Sequence, residues 1–187
     1  MKKLFLSLAF SACSIITLMA QSLVGNWEFT LNIPNGNTPA SIVMNPYLGE
    51  NQQLAFHCDL SMKMDILNNG TDEGILELTY SADVNGTWKQ EADTLTLNLD
   101  NSTISTGYSS IMLPNMENEK ANKFLESFQG KLDALNTSLR ERMIQLASSI
   151  NRSFVIASLT SNQLSLIDMT GQPITFVRAD EGTYDPE

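Results

Sequence analysis

Alternation with a period of two dominates this chain and confines most of it to antiparallel β structure. Residues 76–99 read LELTYSADVNGTWKQEADTLTLNL, and residues 154–178 read FVIASLTSNQLSLIDMTGQPITFVR. Apolar and polar side chains take turns in both, and a strand points successive side chains to opposite faces, so each run has one dry and one wet face. Turn-forming pairs such as Asn85-Gly86 and Thr170-Gly171 split the runs and predict tight hairpins.

The same pattern extends through most of the chain. From Leu23, the positions Leu23, Gly25, Trp27, Phe29, Leu31 and Ile33 form one face of a first strand. Asn35-Gly36 and Pro39 turn it into a short strand over Ala40 to Asn45, which Pro46 and Gly49 are expected to end. The longest run follows, with apolar residues at every even position from Leu54 to Ile66 and His57, Asp59, Ser61, Lys63 and Asp65 between them. At roughly 3.3 Å per residue it covers about 40 Å, so it must coil around a barrel or bend at a bulge. Leu76 to Val84 and Leu95 to Leu99 continue the alternation on either side of Asn85-Gly86. Ile104, Thr106, Tyr108 and Met112 mark a further strand before Pro114, and short strands over 154–159, 164–167 and 174–178 close the domain.

Between residues 116 and 150 the period changes. Leu125, Phe128, Leu132, Leu135, Leu139, Met143, Leu146 and Ile150 recur every three or four positions, which is helical spacing. One rod over this stretch would be about 52 Å long at 1.5 Å per residue and would overhang a small barrel. Gly130 as a breaker, with Ser138 and Glu141 as a capping box for a second start, therefore favours two helices or one sharply bent one. The unbroken apolar stripe argues for the single rod.

The first 20 residues have the form of a secretory signal: Met1-Lys2-Lys3, an apolar run and a small residue, Ala20, before Gln21. The apolar run is short for a membrane span, which needs about 20 such residues. Lipidation at Cys13 is the weaker alternative, because it leaves the apolar SIITLMA on the mature protein. The expected destination is periplasmic or extracellular. Removal of the leader takes Lys2 and Lys3 with it, leaving nine basic side chains against 21 acidic ones and a net charge of about −12. Such a surface repels nucleic acid and anionic membranes and argues against stable membrane insertion. Cys58 would then be the only cysteine, so no intramolecular disulfide can form and the packed core must supply the stability. Residues 21–180 form one expected domain, and residues 181–187 an acidic tail.

Catalytic chemistry is hard to assemble from these residues. His57 is the only histidine, and its neighbour Cys58 faces the other side of the strand, so the two cannot make a nucleophile–base pair. One histidine beside Asp59 does not make a metal site, and His57 reads as a solvated surface residue. Cys58 reads as a small buried hydrophobe. No phosphate-binding glycine loop or G-x-S-x-G motif is present. Neither an enzyme nor a cofactor nor a metal is expected. What remains is the apolar inner surface: Phe56, Cys58, Leu60, Met62 and Met64 from the longest strand, Tyr80 from the next, and Leu95 and Leu97. Methionines adapt either to a variable apolar ligand or to an irregular filled core. No Lys or Arg interrupts the inward positions of the longest strand, which argues against a carboxylate ligand such as a fatty acid.

Leu23-Val24-Gly25-Asn26-Trp27 resembles the G-x-W first strand of the lipocalins. The segment from Gly86-Thr87-Trp88 to Asp93-Thr94-Leu95-Thr96-Leu97 resembles the central hairpin of lipocalin-like secreted bacterial proteins. The ending does too: Leu159-Thr160, Leu164, Leu166, Asp168, Gly171, Phe176 and Arg178 follow L-T-x-x-x-L-x-L-x-D-x-x-G-x-x-x-x-F-x-R. The resemblance implies a mainly β fold, an antiparallel up-and-down barrel of about 8–10 strands, here with a helical insertion over about 116–150. It also implies that Trp27 closes one end of the barrel with Arg178 lying across its ring. The expected function is that of an exported protein binding a small, mostly uncharged apolar molecule in the barrel. The alternative is a non-enzymatic interaction or assembly module whose helical segment docks a protein partner.

Overall fold

The computed structural model describes residues 23–33, 40–67, 70 and 72–179. The signal segment, Cys13, the Asn35-Gly36 turn and the acidic tail lie outside the described residues.

Nine strand segments and one long helix make up the described fold. The strands are β1 (Gly25–Ile33), β2 (Ala40–Leu48), β3 (Gln53–Asp65), β4 (Ile75–Glu91), β5 (Thr94–Leu99), β6 (Ser105–Met112), β7 (Ser153–Leu159), β8 (Gln163–Ile167) and β9 (Pro173–Arg178); the helix α1 (Asn118–Ile150) separates β6 from β7. All pairings are antiparallel, and the ring closes because β3 pairs with β4 while β1 pairs with β9. β5 and β6 share one lane beside β4: Gly86 to Glu91 pair with β5, and Glu77 to Asp83 pair with β6. The barrel is therefore eight-stranded and closed, within the 8–10 strands that the lipocalin resemblance implies.

Asn85-Gly86 does not turn the chain. β4 runs straight through it, and the turn comes at Ala92-Asp93, where Ala92 takes a positive φ of 52°. The glycine is needed for close approach instead, because a Cβ on Gly86 would run into the carbonyl of Asn98. This is the point at which β4 exchanges β6 for β5. Pro46 likewise fails to end its strand. β2 continues to Leu48, and the β1–β2 ladder omits Trp27 and Glu28, the positions facing Pro46 and Asn45. The missing N–H of proline is accommodated in that gap.

The helix is one rod of 33 residues that passes through Gly130 and Ser138 without a break. An overhang was the reason to expect two helices, and the strands remove it. β3 has 13 residues and β4 has 17, whereas β7, β8 and β9 have seven, five and six. One wall is thus tall, with β4 alone about 56 Å long at 3.3 Å per residue, and the other is short. The tall wall carries its own small core, in which Leu76, Leu113, Met116 and Ala121 are buried and Phe124, Leu125 and Phe128 of the helix pack alongside. The C-terminal half of α1 sends Leu139, Met143 and Ala147 into the main barrel core. Continuous packing outweighs the roughly 1 kcal/mol that an exposed helical glycine costs.

Met112 also departs from its expected place. A bulge between Thr79 and Tyr80 shifts the β4–β6 register, so Ile111 pairs with the buried Leu78 and Met112 with the outward Glu77; Met112 is exposed.

Candidate functional site

The two ends of the barrel differ. At one end β1 and β9 pair through Trp27↔Arg178 and Glu28↔Val177. Trp27 is fully buried, its indole Nε1 donates to the Leu23 carbonyl at 2.8 Å, and the Arg178 guanidinium carbon lies 4.3 Å from the ring centroid. Arg178 Nη1 donates to the Val24 carbonyl at 3.0 Å and Nε to the Ser161 carbonyl at 2.7 Å. Gly25 takes φ +130°, and a Cβ there would collide with Arg178 Nη1. The spacing Gly25-x-Trp27 thus has a physical origin: residues two apart share a face, one providing the ring and the other the space for the cation stacked on it.

Beyond Glu28 and Val177 the ladder stops and the two strands part, with Phe29 and Phe176 meeting across the split at 5.7 Å between ring centroids. Leu31 and Ile33 continue the inner face of β1 into this opening and are 43% and 36% exposed. Their neighbours on that face, Ile42 of β2 and Leu60 and Met62 of β3, are partly buried.

Of the candidate interior residues, Phe56, Cys58, Tyr80, Leu95 and Leu97 are buried in the core, whereas Leu60, Met62 and Met64 lie at its partly covered margin. Tyr80 and Tyr108 meet edge to face, and each hydroxyl donates to the helix: Tyr80 Oη to Asn136 Oδ1 at 2.7 Å, Tyr108 Oη to the Leu132 carbonyl at 2.8 Å. Where Met143, Leu146 and Ala147 face Phe56, Cys58 and Val84, the remaining cavity is about 10 Å³, at most the space of a single water. The helix therefore fills the barrel at this level. Burial, reinforced by the neighbouring Asp59 charge, pushes the Cys58 thiol up to about 12, so it remains protonated.

On the outer wall, His57 is more constrained than a solvated residue. Its Nδ1 lies 2.8 Å from Asp83 Oδ1 and its Nε2 3.2 Å from Asp59 Oδ2, while Ser81 donates to Asp59 at 2.5 Å. Burial pulls the imidazole pKa down, but the hydrogen bonds and charges of Asp83 and Asp59 outweigh it and hold the pKa above the ordinary value of 6.5. The two carboxylates grip opposite ring nitrogens and do not converge on a common point. No group of three metal-ligating side chains is gathered among the described residues. No described helix is long and apolar enough to cross a membrane.

The alternation pointed to the interior residues, and the inward positions of Leu31 and Ile33 were legible in the same way. Their exposure was not, because it depends on where β9 leaves β1. No family model matches this sequence, and no curated protein matches it. The architecture, an eight-stranded closed antiparallel barrel with one helix, is consistent with a calycin-like barrel.

Proposed function

We propose that this is an exported, non-enzymatic, lipocalin-like protein that holds a small, uncharged apolar molecule against the open inner wall of its barrel. The observation that carries this reading is the exposure of Leu31 and Ile33 on the inner face, beside the partly buried Ile42, Leu60 and Met62, while the helix fills the barrel around Phe56, Cys58 and Val84. An apolar wall left open to water gains free energy when an apolar ligand covers it, at about 25 cal/mol per Å². An uncharged ligand fits because the inner-facing Arg178 lies at the opposite, closed end, stacked on Trp27. The rival reading, a helix that docks a protein partner, has less to stand on. The apolar stripe of α1 is taken up by the two cores, and the exposed large apolar residues described lie on strands and turns, not on the helix. The non-enzymatic part of the reading rests on His57, Asp59 and Asp83, which satisfy one another, and on the inert buried thiol of Cys58.

Titration with N-phenyl-1-naphthylamine, an uncharged apolar fluorophore, tests the reading. Saturable binding at one site is expected, weakened at least tenfold by Leu31→Asp, a change at an exposed position. Binding that is absent, or indifferent to Leu31→Asp and Leu60→Asp alike, would refute it.

A further inference from the structure

The outer wall carries a second kind of surface, unrelated to the apolar mouth. Two adjoining depressions of about 570 and 330 Å³ share Asn85 and Gly86, and volumes of this size are typical of small-molecule sites, about 300–1,000 Å³. They run across the outward faces of four strands in two neighbouring rows. Tyr47, Ala55 and Asn85 align through the β2–β3 and β3–β4 ladders, and Gln53, Thr87 and Asn98 align through β3, β4 and β5. At about 4.8 Å per strand the trough is roughly 15 Å across. The outward side chain between Tyr47 and Asn85 is only the methyl group of Ala55, which lies buried beneath its neighbours.

The lining has a consistent chemistry. Asn85, Asn98 and Gln53 offer amides that both donate and accept, and Thr87 offers a hydroxyl. None of these side chains is engaged in a hydrogen bond among the described residues. Asp100 closes one edge as an acceptor; hydrogen bonds from the Ser102 hydroxyl and backbone hold its pKa below the usual carboxylate range, so it stays ionised. Tyr47 supplies a partly exposed aromatic ring at the other edge. No Lys or Arg lines either depression, and a protein of net charge −10 repels polyanions.

We propose that this trough is a binding site for a neutral oligosaccharide. A sugar ring presents hydroxyls around its rim, each able to donate and accept, and apolar C–H faces above and below. Amides and a hydroxyl that lack internal partners answer the rim, and the Tyr47 ring answers a face. An apolar ligand would strand the amides without partners, and a nucleic acid would find no cation. The site shares no side chain with the apolar inner wall, so the two proposals stand or fall separately.

Native gel electrophoresis of the full chain through laminarin, xyloglucan, galactomannan or dextran decides the matter. At least one of these neutral polysaccharides should retard the protein, and Tyr47→Ala should weaken that retardation at least tenfold. Tyr47→Phe, which retains the ring, should preserve it. Asn98→Ala, at an exposed position with no internal bond, should weaken it without altering the fold, and serves if Tyr47→Ala fails to fold. Leu31→Asp should leave it unchanged, which separates this site from the apolar one. No retardation by any of the four, or retardation unchanged in the Tyr47 and Asn98 variants, would overturn the proposal.

Discussion

The two ends of β1 carry the same kind of side chain on the same face, yet they live in different environments. Trp27 is sealed beneath Arg178, its N–H satisfied and its ring covered. Leu31, four residues on, faces inward but remains 43% exposed because β9 has already left the strand. Pairing with the last strand makes the difference, not hydrophobicity. A barrel closed firmly at one end can leave part of its inner wall uncovered at the other, and the proposed apolar ligand would bind there.

The contrast is most directly broken by truncation at each end. Trp27→Ala should cost roughly 3–5 kcal/mol, the range for emptying a buried aromatic site, whereas Leu31→Ala should stay within about 0.5 kcal/mol, as exposed positions do. Urea denaturation measures both, and similar losses would show the open end to be as firmly packed as the closed one. The helix links the two regions, since its N-terminal half covers the tall wall and its C-terminal half fills the barrel. Gly130 lies between these halves, exposed and with open space around its Cβ. Gly130→Ala should therefore stabilise the protein by about 0.5–1 kcal/mol, read as a raised Tm. Destabilisation would mean that the chain breaks there, as a two-helix arrangement requires. The smallest effect belongs to His57, which stands on the outer wall next to the filled interior. Its folded pKa is raised, so its contribution to stability is fully present below about pH 6.5 and is lost as pH rises through the folded value. Wild type should lose stability relative to His57→Gln as pH rises from about pH 6 to about pH 8. An identical pH dependence in the two proteins would show that the Asp59 and Asp83 contacts do not persist in solution.

Much of the barrel was readable from the chain alone. The alternation placed Phe56, Cys58, Leu95 and Leu97 on the dry face, and the structure buries all four. The closing strands fell where the turn around Gly171, with φ +81°, separates them. Asn85-Gly86 was misleading because glycine serves two purposes, left-handed turns and close approach, and only the position of Asn98 distinguishes them here. The choice between one helix and two stays open in the sequence for a similar reason: a rod longer than the barrel has no support until the tall β3–β4 wall is known. The polar trough was illegible, since Tyr47, Asn85 and Asn98 lie far apart in sequence and meet only through the strand register.

The sequence by itself determined which face of each strand points inward along most of its length, that the described fold is built of antiparallel strands with a helical segment before the last ones, and that Gly25 and Trp27 share a face. These follow from periods of two and of three to four, which are properties of neighbouring residues. Only the tertiary structure decided where β1 and β9 part, how completely the helix fills the barrel, and which amides on separate strands share a trough. Those depend on pairings between residues up to about 150 positions apart, such as Trp27 with Arg178, and no local pattern encodes the point at which such a ladder ends.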